Sequence, residues 1–236
     1  MYEVIVLGAT FAAAGIAQRY KEQCLILEQS QQAGGEFFGA LHFDLGCTEP
    51  PKNGDALSLW KNYSDGSIFD RCRDIYPLLR QAKVLFDVQL VSVEQTKEGY
   101  ACVTYGVEGF CTHWAKQVID TRSTDAIASA KTYNLLIESK EPPAFERICG
   151  EELGGKGLYV LYLPVPLSCG YAEARSAAKK VILGFSETQK LILFASVFDY
   201  QIPEDCPKMN AGIRCLPSKA YEHPALAFEA GLEVAL

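Results

Sequence analysis

VIVLGATFAAAGIAQRYKEQCLILE, residues 4–28, is the stretch on which the fold turns. An apolar run from Val4 to Leu7 enters a small-residue turn at Gly8. A helix-compatible segment follows, and a second apolar run, Cys24–Leu27, ends on Glu28. This pattern predicts the opening βαβ unit of a dinucleotide-binding fold. The turn lets backbone approach a pyrophosphate, and the new helix, entered through Phe11, Ala12 and Ala13, points its N–H groups at that anion. Glu28, and Gln29 beside it, stand where a ribose is held, about 20 residues past the first glycine of this fingerprint. The same turn can also serve packing alone.

Two fingerprint positions depart from glycine. A G-x-G-x-x-G pattern from Gly8 would place glycines at 10 and 13, where this chain has Thr10 and Ala13. Ala13 is a mild change, because that position needs only close helix–strand packing. Thr10 is more serious, since its Cβ sits where backbone should approach phosphate. Its hydroxyl is expected to compensate in part as a hydrogen-bond donor.

The chain has 236 residues, a net charge of −7, 49% hydrophobic and 22% charged residues. An ordinary globular core is within reach of that composition. A nucleic-acid partner is disfavoured, because the acidic balance repels phosphates. The basic spots, Arg71–Cys72–Arg73 and Lys179–Lys180, read as solvated faces. The longest apolar runs, such as Leu191–Phe198, are strand-sized and too short to span a membrane. A cytoplasmic protein is the expectation. The nine cysteines include no C-x-x-C, and Cys24 and Cys102 sit in apolar runs as small buried hydrophobes.

Further along, Gly34–Gly35 lies in a loop. Residues 40–63, with Pro50–Pro51 and the Asn53–Gly54 turn signal, read as mostly irregular. Residues 65–82 show helical spacing through Ile68, Phe69, Cys72, Ile75 and Leu79. Lys83–Val93 alternates as one strand. Gly99–Gly106 and Phe110–Ala115 read as a hairpin joined near Glu108–Gly109, and Gln117–Asp120 as a short strand. Tyr133–Ile137, Leu158–Leu163 and Lys190–Phe198 read as strands around an amphipathic helix, Ala172–Phe185. Pro224 opens a last helix.

Together these segments resemble the FAD-dependent oxidoreductases of the glutathione-reductase-like superfamily, and among them a bacterial subgroup whose meander ends in an AK-x-VIDATG strand. Here that strand is Ala115–Lys116–Gln117–Val118–Ile119–Asp120–Thr121–Arg122. YLPVPLSCGYAEAR (Tyr162–Arg175) and HPALAFEAG at the C-terminus extend the likeness. The resemblance implies an α/β protein: a three-layer Rossmann-like FAD-binding domain with a β-meander (1–125 and 205–236) and a small inserted α+β substrate or partner domain (126–204). It also implies FAD as cofactor, with pyrophosphate on the Gly8 turn, ribose on Glu28 and adenine against the strand near Val88. Gly34, Gly35, Glu36, Thr121 and Arg122 would join the cofactor shell, and Pro224–Ala225 would approach the flavin or its phosphates. The chain departs from the family at Thr10 and at Thr121–Arg122, where the family has Thr-Gly. It departs again in LPSKAYEHP, which lacks the usual Gly-Asp.

A flavin carries the redox chemistry itself, so few protein groups are needed. His42 and His223 are the catalytic candidates, as proton donor or flavin contact. His113 reads as structural, Cys47 as a candidate thiol, and Arg175 as a ligand for a substrate carboxylate or as a surface residue paired with Glu173. The leading expectation is hydride transfer between flavin and a small molecule in an interdomain cleft holding His42, His223 and Arg175. The alternatives are a degenerate non-catalytic subunit partnering a larger redox protein, and an NAD(P)-binding protein without flavin.

Overall fold

The computed structural model of the chain describes residues 1–43, 49–64, 74–143, 149–152, 157–203, 206, 209–210 and 212–235. The chain divides into two compact units. The first comprises Met1–Gly34, Cys47–Arg122 and Asp205–Leu236; the second comprises Gly35–Gly46 and Ser123–Glu204.

The first unit is built on β1 (Tyr2–Leu7), α1 (Phe11–Tyr20) and β2 (Cys24–Leu27). β1 pairs in parallel with β2, and β2 in parallel with β3 (Lys83–Leu85). These runs are apolar throughout because a parallel sheet is covered on both faces. β4 (Gln89–Thr96), β5 (Gly99–Gly106) and β6 (Gly109–Asp120) form an antiparallel meander. The far half of β6 returns to the parallel sheet beside β1, from Tyr2↔Ala115 to Leu7↔Asp120. β12 (Met209–Asn210) and β13 (Ile213–Cys215) form a short antiparallel pair, and β13 adds in parallel to β6. One sheet face, through Ile5, Leu7, Leu25 and Leu27, packs on Cys102, Leu90, Val93 and Tyr100 of the meander. α1 packs on β1 and β2, and α5 (Pro224–Leu232) packs on α1, so the unit has three layers, as the family resemblance implies. The two helices cross without a gap. A methyl group on Gly15 would run into the Phe228 carbonyl oxygen and lie 2.7 Å from the Leu232 nitrogen.

Three local readings differ from the structure. Residues 54–64 are not irregular but form α2 (Gly54–Ser64), because the Asn53 side chain accepts from the Asp55 N–H (2.9 Å) and acts as a helix start rather than a turn. Lys83–Val93 is two strands, since Asp87 takes φ +58° and turns the chain from the parallel sheet into the meander. Gln117–Asp120 is not a separate strand but the end of β6. Of 65–82, α3 (Ile75–Leu79) is helical, while Ile68, Phe69, Arg71, Cys72 and Arg73 lie outside the described residues, as does Cys47.

The second unit is a five-stranded sheet containing β7 (Ala130–Ser139), β8 (Cys149–Glu152), β9 (Leu158–Val165), β10 (Gln189–Phe194) and β11 (Asp199–Gln201), all antiparallel pairs, with α4 (Tyr171–Ile182) packed on β7. The strand expected to reach Phe198 stops at Phe194. There the Ala195 N–H still bonds Asn134, but the Ser196 N–H turns away to the Gly39 carbonyl (2.7 Å). Beneath the sheet Lys131 is fully buried, its ammonium donating to Asp125 (2.6 Å) and to the carbonyls of Leu167 (2.6 Å) and Cys169 (2.9 Å).

Candidate functional site

The chain leaves β1 through Gly8, whose φ of +94° strains any residue with a side chain. The Gly8 N–H donates to the Leu27 carbonyl (2.8 Å) and pins the turn to the end of β2. Glu28 then bridges two loops: its carboxylate accepts from the Ala9 N–H (2.7 Å) and from the Ser30 N–H (2.7 Å). A carboxylate has about four acceptor sites, so capacity remains for hydroxyl donors. Beside it the Val88 N–H donates to the Glu28 carbonyl (3.1 Å), and Gln29 is exposed. The Gly34 N–H donates back to Ala9 (2.8 Å), while Gly35 and Glu36 open the second unit.

Thr10 does something the sequence did not suggest. Its hydroxyl caps α1 by accepting from the Ala13 N–H (3.1 Å) and donates its one proton to Thr121 Oγ1 (2.8 Å). Thr121, fully buried, donates on to the Leu7 carbonyl (2.9 Å). The threonine therefore ties α1 to the end of β6 and points inward.

Arg122 lies across the turn. Its Cγ sits 2.6 Å from where a Cβ on Gly8 would be. Its guanidinium is held by Asp120 through Nε (2.9 Å) and a terminal nitrogen (2.7 Å), and Asp120 also accepts the Arg122 backbone N–H (3.0 Å). The Asp120 bond raises the Arg122 pKa further, and the nearby Glu28 charge adds to it.

At the first turn of α5, Pro224 and Ala225 are buried. His223 is the cap: its Nδ1 accepts from the Ala225 N–H (3.0 Å) and its ring lies 4.2 Å from Trp60 and 5.4 Å from Tyr63. It is 3% exposed, and burial pushes its pKa down to about 4. It is thus a neutral helix cap in an aromatic cluster. His113 bonds Thr104 (3.1 Å) within the meander. The thiols of Cys24 and Cys102 are pushed up to about 12 and about 11 by burial, as expected of inert small hydrophobes.

In the second unit His42 has a partner that sequence spacing could not reveal. Its Nδ1 lies 2.8 Å from an Asp199 carboxylate oxygen that also accepts from Asn134 (3.3 Å); Asn134 in turn donates to the Ala40 carbonyl (2.8 Å). A carboxylate on Nδ1–H fixes the tautomer and leaves Nε2 to take or give a proton. Arg175 stands on α4 with its guanidinium 5.1 Å above the Phe194 ring. The neighbouring β7 residues Asn134 and Tyr133, which meet the histidine and arginine groups respectively, project from opposite faces of the strand. The structure therefore does not join His42 and Arg175 in one cluster.

The donor set fits the adenosine-diphosphate part of a dinucleotide: a left-handed glycine turn, the N-terminus of a helix and a carboxylate at the end of the next strand. The one residue that does not fit as placed is Arg122, whose stem fills the cradle over Gly8.

No protein-family model matches the sequence, and no curated protein matches it. Solved structures do share the fold. A geranylgeranyl bacteriochlorophyll reductase-like protein from Thermoplasma acidophilum superposes with a TM-score of 0.59 at 11% identity, covering 98% of this chain and 76% of that one. Glycine oxidase from Geobacillus kaustophilus gives 0.56 at 11% identity, covering 98% and 92%. Aklavinone-11 hydroxylase, solved as a ternary complex with FAD and aklavinone, gives 0.55 at 10% identity, covering 98% and 61%. At such identities the likeness establishes a shared three-layer α/β fold.

Proposed function

We propose that the first unit binds FAD at the Gly8 turn and that the protein is a flavin-dependent oxidoreductase acting on a small molecule. The observation that carries this reading is the Glu28 bridge, which ties the end of β2 to the N–H of Ala9 in the turn itself. The acceptor sites this carboxylate keeps beyond those two N–H bonds stand at the end of β2, where a ribose would use them. In this reading Gly8 and the first turn of α1, from Phe11 to Ala13, meet the pyrophosphate, and Glu28 takes ribose hydroxyls. Backbone near Val88 lies against adenine, and Pro224–Ala225 present the α5 terminus. Arg122 turns from Asp120 to become the cation on the phosphates. FAD, when bound, supplies the hydride chemistry. His42, oriented by Asp199, moves a proton at Nε2. The finer likeness to the subgroup with an AK-x-VIDATG strand rests on Ala115–Arg122.

A second reading is a redox-inactive subunit that binds FAD at the same turn and works with a redox partner. Two observations favour it: Arg122 covers Gly8, and His223 is a buried cap. Calorimetry with FAD tests the shared claim. Wild type should bind and Gly8→Val should not, because the new side chain meets Arg122 and the phosphate path. Absence of heat with wild type refutes both readings. Photoreduction of the loaded protein followed by air then separates them: reoxidation supports the oxidoreductase, and a flavin that cannot be reduced supports the inactive subunit.

A further inference from the structure

We propose that the second unit carries a pocket for a small aromatic carboxylate, in which the Arg175 guanidinium takes the carboxylate and the ring lies against Tyr171 and Phe194, with the buried Tyr133 as its floor. The pocket measures about 580 Å³ and lies wholly within this unit. That is the size of a small-molecule site.

Arg175 is the charged group of this pocket. Glu173, its expected surface partner, stands two positions away on α4, where side chains do not face each other, and it accepts instead from the Gly170 N–H (3.0 Å). Among the described residues no carboxylate forms an ion pair with Arg175. Instead its guanidinium rests over Phe194, an attraction to the ring face that holds the stem in place and leaves the planar fork available at its edge. The fork matches a carboxylate in two parallel hydrogen bonds.

The walls are aromatic and fixed. The Tyr171 ring stacks on Phe198 at 4.4 Å and 16°, and Phe198 is clamped in turn by the buried Lys131 ammonium 4.2 Å from its centroid. Tyr133 stacks near Phe194 (23° between planes) and is 3% exposed. Burial raises the Tyr133 pKa and the Arg175 charge opposes that rise, so the field of the guanidinium reaches the phenol. Flat walls with one cation at the rim select a flat monoanion. A neutral ring forgoes the fork, and a phosphate dianion has a single cation to meet.

The pocket lies on the face of β7 opposite the His42 group and does not include that histidine, so it is a separate ligand site; it is tested on the protein without flavin, so its failure and that of FAD binding are read separately. The probe is 2-naphthoate, followed by saturation-transfer NMR and equilibrium dialysis, with 2-naphthamide as the uncharged match. Wild type should bind the naphthoate at least about tenfold more tightly than the amide, the minimum expected of a hydrogen bond to a charged group. Arg175→Gln should lose that preference, and Arg175→Lys should keep only part of it. Lys179→Gln, an exposed change one turn along α4 and outside the pocket lining, should keep it all. Circular dichroism verifies that each variant is folded. The proposal is overturned if naphthoate does not bind at millimolar concentration, if the amide binds equally, if Arg175→Gln binds as wild type does, or if Lys179→Gln loses as much as Arg175→Gln.

Discussion

Removing the Thr10 hydroxyl should destabilise the first unit far more than its place in a loop suggests. Thr10 is 6% exposed and makes two hydrogen bonds through one oxygen. Losing an N-cap costs about 1 kcal/mol. Losing the bond to Thr121 costs about 1 kcal/mol more. Thr10→Ala should therefore cost about 2 kcal/mol. Thr10→Ser keeps the oxygen and should cost less than half of that, chiefly through lost methyl packing. Urea unfolding monitored by far-ultraviolet dichroism measures both. The reasoning fails if Thr10→Ala costs under ~0.5 kcal/mol, the range of an ordinary surface substitution. It also fails if Thr10→Ser costs as much as Thr10→Ala, because the hydroxyl would then be irrelevant.

Three further outcomes follow from the same unit. Gly15→Ala should lower the yield of folded protein severely, since the added methyl meets backbone of α5 that has no rotamer to yield; a thermal melt within a few degrees of wild type would contradict the crossing. His223 is neutral when folded, with a pKa near 4 against 6.5 unfolded, so the unfolded chain binds more protons between those values. Stability should fall as pH drops from 6.5 towards 4, by at most about 3 kcal/mol from this group, and a His223→Gln variant should show a flatter profile in acid unfolding. Arg122→Ala should cost only ~1 kcal/mol or less, because the pair with Asp120 is partly solvated. It should raise the rate of FAD association by clearing Gly8 in stopped-flow fluorescence; an unchanged rate would mean that the arginine is no obstacle.

Much of the first unit was legible because its signals are local. The apolar runs of β1 and β2, the Gly8 turn and Glu28 occupy one βαβ stretch, and each part has a separate physical requirement. The hairpin at Glu108–Gly109 was legible for the same reason, with Gly109 at φ +83°. What escaped was long-range or ambiguous in kind. Asn53–Gly54 suits both a turn and a helix cap, and only the packing of the following residues decides. The break at Asp87 is invisible in an alternating run. The partnership of His42 with Asp199 spans 157 positions and leaves no pattern in either segment. Thr10 was legible as a departure from glycine but not as a cap, because its role depends on Thr121, 111 residues away.

The most direct test of the central claim is the visible absorption spectrum of the purified chain after incubation with FAD and desalting. The account predicts retained flavin bands with the shifted shape of a buried isoalloxazine, and their loss in Gly8→Val. A wild-type protein that emerges colourless would contradict it.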